Sequence, residues 1–169
     1  MSKYTVVVAD ALRARFFALK DAAHPELESG PKLVEAGCLM NPEKAQTETR
    51  RRGTPLSGGT RASSGGYYAF DDHRGKHELD EMRRFARIVV REALKQTRKE
   101  DSHSLVIASD RKMLGLVREQ LAEIKTNGLD ILELNREITG EKPDRIQALL
   151  ARNKLIPAMR KPATRVRSA

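Results

Sequence analysis

Arg50, Arg51 and Arg52, followed by Gly53, Gly58-Gly59-Thr60, Arg61 and Gly65-Gly66-Tyr67-Tyr68, form a cationic, glycine-interleaved run that ends in two aromatic rings. A guanidinium presents a planar fork of donors that pairs bidentately with phosphate and also stacks on bases, and a tyrosine ring stacks as well. Glycine, lacking a Cβ, lets backbone N–H groups come close to phosphate oxygens. The chemistry open to this segment is recognition of single-stranded or looped RNA. A second cationic run closes the chain: Arg152, Lys154, Arg160, Lys161, Arg165 and Arg167, with no acid among them. Its expected property is salt-dependent attraction to polyanions rather than reading of a sequence. A solvated loop and a solubilising tail would carry the same charges without a partner, so only a binding measurement separates the two.

Bond-making chemistry finds less to work with. His73 and His77 lie among Asp71, Asp72, Glu78, Asp80 and Glu81, where a metal site or an acid/base pair could be imagined. Acids at a helix start are also what the helix dipole favours, and the two histidines have neither a cysteine nor a fixed ligand spacing, so no metal is assigned. Nuclease chemistry needs carboxylates converging on two metal ions. Asp10 ends the first apolar run, but the only further candidates are Asp110, Asp130 and Glu133, too few to build that cluster. No phosphate-binding glycine loop, dinucleotide fingerprint or nucleophile elbow is present, and no cofactor is expected. Cys38 is the lone cysteine and reads as a buried, inert thiol within a strand.

These side chains need a scaffold, and apolar periodicity supplies one. Tyr4–Ala9 is a β-branched run with the pattern of a central strand buried on both faces. Arg13–Leu19 suits an antiparallel neighbour, and Lys32–Leu39 a third strand after the turn signals Pro25, Gly30 and Pro31. From Asn41 to Lys76 apolar periodicity disappears, which predicts a long loop. Leu79, Met82, Phe85, Ala86, Val89, Val90, Ala93 and Leu94 then recur at helical spacing, ending at Lys95, Arg98 and Lys99. Ser104–Ser109 reads as a buried strand, Lys112–Ile124 as a helix stopped by Asn127-Gly128, Leu129–Leu134 as a strand, and Asp144–Arg152 as a short helix with Pro143 in its first turn. The order predicts an α/β fold with an RNase H-like mixed sheet, three antiparallel strands and then two crossover strands, flanked by helices.

The 169 residues suit one domain, expected at 1–153, with the Gly/Arg-rich loop at 41–76 and a basic tail at 154–169. Aromatics are 4% of the chain and apolar residues 39%, so the core must be mostly aliphatic. A net charge of +9 and a pI near 9.9 make nucleic acid the first candidate partner. The apolar opening is too short for a signal peptide or a membrane span, and a cytoplasmic location is expected.

The segments VVVADALRARFFALKD, HELDEMRRFARIVVREAL and LVIASDRKMLGLVREQL resemble the bacterial host-attachment family, a group similar to the middle domain of archaeal and eukaryotic class-one release factors. In those factors a long loop ending in Gly-Gly-Gln precedes a helix carrying an Arg-Phe-Ala-Arg stretch, which Arg84-Phe85-Ala86-Arg87 matches here. The loop offers Gly58-Gly59-Thr60 and Gly65-Gly66-Tyr67 without the glutamine, so the resemblance implies a loop facing RNA without peptidyl-tRNA hydrolysis. The expectation is a non-enzymatic factor binding the ribosome or ribosomal RNA, of a rescue or hibernation kind, through the loop residues above, Arg84, Arg87 and the tail residues Arg160, Lys161, Arg165 and Arg167. The alternatives are a peptidyl-tRNA hydrolase and a regulatory scaffold of surface attachment whose tail meets acidic protein or the inner leaflet.

Overall fold

A computed structural model describes residues 3–44, 70–124, 126 and 128–162, with side chains from residue 75 onward in the second stretch. Strand β1 (Tyr4–Ala9) is the centre of a five-stranded sheet ordered β3-β2-β1-β4-β5. β2 (Arg13–Lys20) pairs antiparallel with β1, and β3 (Lys32–Met40) antiparallel with β2. On the other side β4 (Ser104–Ser109) and β5 (Asp130–Asn135) run parallel to β1. Parallel neighbours need crossover connections, and helices provide them. α1 (Phe70–Lys99) joins the meander to β4, α2 (Arg111–Ala122) joins β4 to β5, and α3 (Pro143–Arg152) follows. The expected α/β architecture and strand order are those observed.

Successive strand residues point to opposite faces, so β1 serves two cores at once. Val7 and Ala9 join Phe16, Phe85, Val89, Ile107 and Met113 beneath α1 and α2. Val6 and Val8 join Phe17, Leu19, Val106, Ile146 and Leu150 beneath α3. β3 changes allegiance midway. Phe17 faces Glu35 but Phe16 faces Gly37, leaving Ala36 as an extra residue. This bulge reverses the alternation, so Leu33 packs under α3 while Leu39 packs against the α1 side. Gln147 of α3, 2% exposed, clamps the start of β3, accepting from the Leu33 N–H at 2.9 Å and donating to the Pro31 carbonyl at 2.7 Å.

Three sequence expectations change. The loop assigned to 41–76 is shorter: residues 42–44 form a helical turn and α1 already begins at Phe70, whereas 45–69 lie outside the described residues. Periodicity records packing, and Gly75, Lys76, His77 and Glu78 are exposed ahead of Leu79, which packs against the first core. Cys38 is exposed. It does sit in a strand, but β3 is the sheet edge, where a strand need not be covered on both faces. The tail is anchored where it begins: Lys154 adopts φ 59° just past α3, Ile156 is buried in the second core, and Arg160 exchanges backbone hydrogen bonds with Gly30 at 2.8 and 3.0 Å.

Candidate nucleic-acid interface

The segment carrying most of the expected contacts, residues 45–69, departs from a braced footing. Asn41 is 1% exposed; its N–H donates to the Leu12 carbonyl at 2.7 Å and its side-chain amide to the Ala11 carbonyl at 2.9 Å. Its Oδ1 accepts from the Glu43 N–H at 3.2 Å, the role of a helix N-cap, with Pro42 next in the chain. The turn it starts is tied to α1 by two ion pairs. Arg84 holds Glu43 through Nε and Nη2 at 2.7 and 2.8 Å, and Lys44 Nζ meets Glu78 Oε1 at 2.8 Å. The Arg84 guanidinium beside Glu43, and the Lys44 ammonium beside Glu78, hold both carboxyls below the usual glutamate range. Arg84 is raised in turn by the Glu43 carboxylate.

In the Arg84-Phe85-Ala86-Arg87 stretch the inner pair is core and the outer pair is surface. Phe85 and Ala86 are 1% and 0% exposed, whereas Arg84 and Arg87 are exposed. Arg87 Nε donates to Oε1 of the buried Gln120 at 3.0 Å, which orients its guanidinium. Arg50, Arg51, Arg52, Gly58, Gly59, Thr60, Arg61, Gly65, Gly66, Tyr67 and Tyr68 lie outside the described residues, as do Arg165 and Arg167.

Arg160 and Lys161 are described, and they are not beside Arg84. They rim a groove of about 670 Å³ with Lys3, Tyr4, Pro31 and Pro157, at the end of the sheet where β1 begins. Asn41 and Glu43 stand where β1 ends, since Met40 pairs with Arg13. The fold therefore separates the two basic regions by the length of the central strand.

Of the carboxylates weighed for catalysis, Asp10, Asp110 and Glu133 have structural partners. Asp10 Oδ1 accepts from the Leu12 and Arg13 N–H groups at 2.7 and 2.8 Å, and Oδ2 accepts from the Thr139 hydroxyl. Asp110 caps α2 by accepting from the Lys112 and Met113 N–H groups, and Glu133 pairs with Arg118. Glu78, Asp80 and Glu81, expected at a helix start, lie at least two turns inside α1, beyond the reach of the dipole. They instead face Lys44, Arg83 and His77. Among the described residues no group of three His, Cys, Asp or Glu side chains is placed to hold a metal ion.

Sequence reasoning missed Asn41, Glu43, Lys44 and Gln120. The Asn41-Pro42 pair was a legible signal for a helical start, because asparagine caps and proline suits the first helical position. The ion pairs to α1 had no local signal. No helix among the described residues is long and apolar enough to cross a membrane. Among curated proteins the sequence finds no match. Residues 5–150 match the family model described as protein required for attachment to host cells, a span that takes in all five strands and nearly all of α3, and the chain belongs to that family.

Proposed function

We propose that the chain is a ribosome- or ribosomal-RNA-binding factor of the rescue or hibernation kind, acting by occupying a tRNA-facing site near the peptidyl transferase centre without catalysis. The observation that carries this reading is the braced footing: Glu43 and Lys44 are tied to Arg84 and Glu78 at the point where the segment with Arg50, Arg51, Arg52 and Arg61 leaves the domain. A cationic, glycine-rich segment on a rigid base is an economical way to present arginines and tyrosines to looped RNA. The Arg84-Phe85-Ala86-Arg87 likeness to the release-factor middle domain supports the same direction, and the lack of Gly-Gly-Gln in the segment favours occupancy over hydrolysis. A family described by host attachment is described by a phenotype, which a factor acting on translation can influence from a distance.

Sedimentation of a cell lysate through sucrose gradients tests the reading. At low salt the protein should travel with ribosomal particles, and at high salt it should return to the top, because phosphate contacts weaken with ionic strength. A protein that stays at the top of the low-salt gradient is not such a factor.

A further inference from the structure

The outer face of α1 carries Arg84, Arg87, Arg91, Lys95 and Arg98, all exposed. Spaced three and four residues apart, they stack along one side of the helix over about 21 Å at 1.5 Å per residue. From Arg84 to Lys99 the only acid is Glu92. A helix face that only has to stay wet mixes charge signs, since like charges at these spacings repel. Here each successive pair along the row is a like-charge pair. The helix dipole accounts for the last-turn cations Arg98 and Lys99, but it fades within a turn and leaves Arg84, Arg87 and Arg91 unexplained. Arg84 is shared with Glu43, Arg87 gives only its Nε to Gln120, and Lys95 reaches Glu92 at 3.5 Å. Arg91 and Arg98 have no ion-pair partner among the described residues.

We propose that this row is a binding strip for the phosphodiester backbone of RNA, with Arg87, Arg91, Lys95 and Arg98 as its contacts. The proposal rests on the reading of the chain as an RNA-binding factor and gives it a surface on a rigid element. Charge complementarity selects the occupant. Phosphates recur along a nucleic-acid strand every few ångströms of axial rise, roughly 3.4 Å in B-form DNA, so about 21 Å of row faces several of them. Four of the five cations are arginines, whose fork matches phosphate oxygens. A membrane surface fits less well. The apolar face of α1, with Met82, Phe85, Val89 and Val90, is spent in the core, and among its described side chains Ile88, at 42% exposure, is the large apolar residue left outside, which gives this face little to insert between acyl chains.

The test uses the full chain and fluorescence anisotropy with a labelled 20-base-pair RNA duplex over a range of salt. The R91A/K95A/R98A variant should flatten the slope of log K against log salt by about 2 to 3 units, at roughly 0.7 to 0.9 per contact. The charge-preserving R91K/R98K variant should keep the parent slope. Thermal melts should match the parent for both, since the positions are exposed on a helix. If the triple variant keeps the parent affinity and slope while R50A/R51A/R52A/R61A loses binding, the strip is wrong and the function proposed above stands. A parent that binds neither the duplex nor a single-stranded RNA overturns both. If vesicles containing phosphatidylserine displace the duplex and the triple variant loses vesicle binding, the strip faces a membrane and the proposal fails.

Discussion

A single side-chain amide caps the open edge at the start of β3. The Gln147 side chain satisfies the Leu33 N–H and the Pro31 carbonyl from a buried position, and no neighbouring strand can do so because β3 is the sheet edge. Gln147→Leu keeps the volume roughly constant but strands both backbone groups. It should cost about 1–3 kcal/mol, read as a lower urea midpoint with an unchanged slope; an unchanged midpoint would show that β3 is held by its ladder alone. Arg15 does comparable work by charge. Its Nε and Nη2 hold Glu35 at 3.0 and 2.8 Å, while Nη1 donates to the Thr139 and Glu141 carbonyls at 3.0 and 2.7 Å. The Arg15 hydrogen bond holds the Glu35 carboxyl below its ordinary value. A depressed carboxylate stabilises the fold above the unfolded value, and that contribution is lost as pH falls through the folded one. The melting temperature should therefore drop as pH falls below the unfolded glutamate's value of about 4.3, and Glu35→Gln should flatten part of that fall. If Glu35→Gln leaves the profile unchanged, the pair contributes nothing measurable.

At the scale of elements, α1 packs on the sheet from near Leu79 onward, with an exposed run from Gly75 to Glu78 before it. Phe85 lies in the packed part at 1% exposure, and Phe85→Ala should cost about 3–5 kcal/mol. Replacing Arg50, Arg51, Arg52 and Arg61 by alanine should change stability by no more than about 0.5 kcal/mol per site, while RNA affinity falls and its salt slope flattens. An early melt of that quadruple variant, or an unaltered salt slope, would show the segment to be structural. The same division explains what the sequence disclosed. Val6, Val7 and Val8 announced a strand buried on both sides because nothing but two cores accommodates them, and the stripe from Met82 to Leu94 announced a helix because it packs. The exposed residues Gly75, Lys76, His77 and Glu78 leave no periodic trace, since periodicity records a buried face. Cys38 was misread for a related reason: a strand pattern does not say how many neighbours the strand has, and β3 has one. Arg84 and Arg87 were legible as surface cations of a known stretch, but their partners Glu43 and Gln120 were not, because each contact joins elements distant in the chain.

Across the whole molecule the excess charge is concentrated in two stretches of the sequence. Arg50, Arg51, Arg52 and Arg61 with the six cations from Arg152 to Arg167 make ten, against a net charge of +9, so the rest of the chain is nearly balanced. If all six terminal cations meet phosphate, replacing them should flatten the salt slope by about 4 to 5 units, whereas a flattening of 1 or less would mean that the tail only solubilises. Such substitutions are better than truncation after Arg152, because Ile156 would leave the core with the tail. The backbone bridge between Gly30 and Arg160 has a further consequence. It fixes Arg160 and Lys161 at one end of β1 while Asn41 and Glu43 sit at the other, six residues or about 20 Å away at 3.3 Å per residue. If RNA is gripped at both ends as proposed, the sheet is a stiff spacer between the two grips. On that reading a polyanion long enough to span it would be held bivalently, with the second grip acting at high effective concentration, whereas a shorter one would let go as fast as either grip alone.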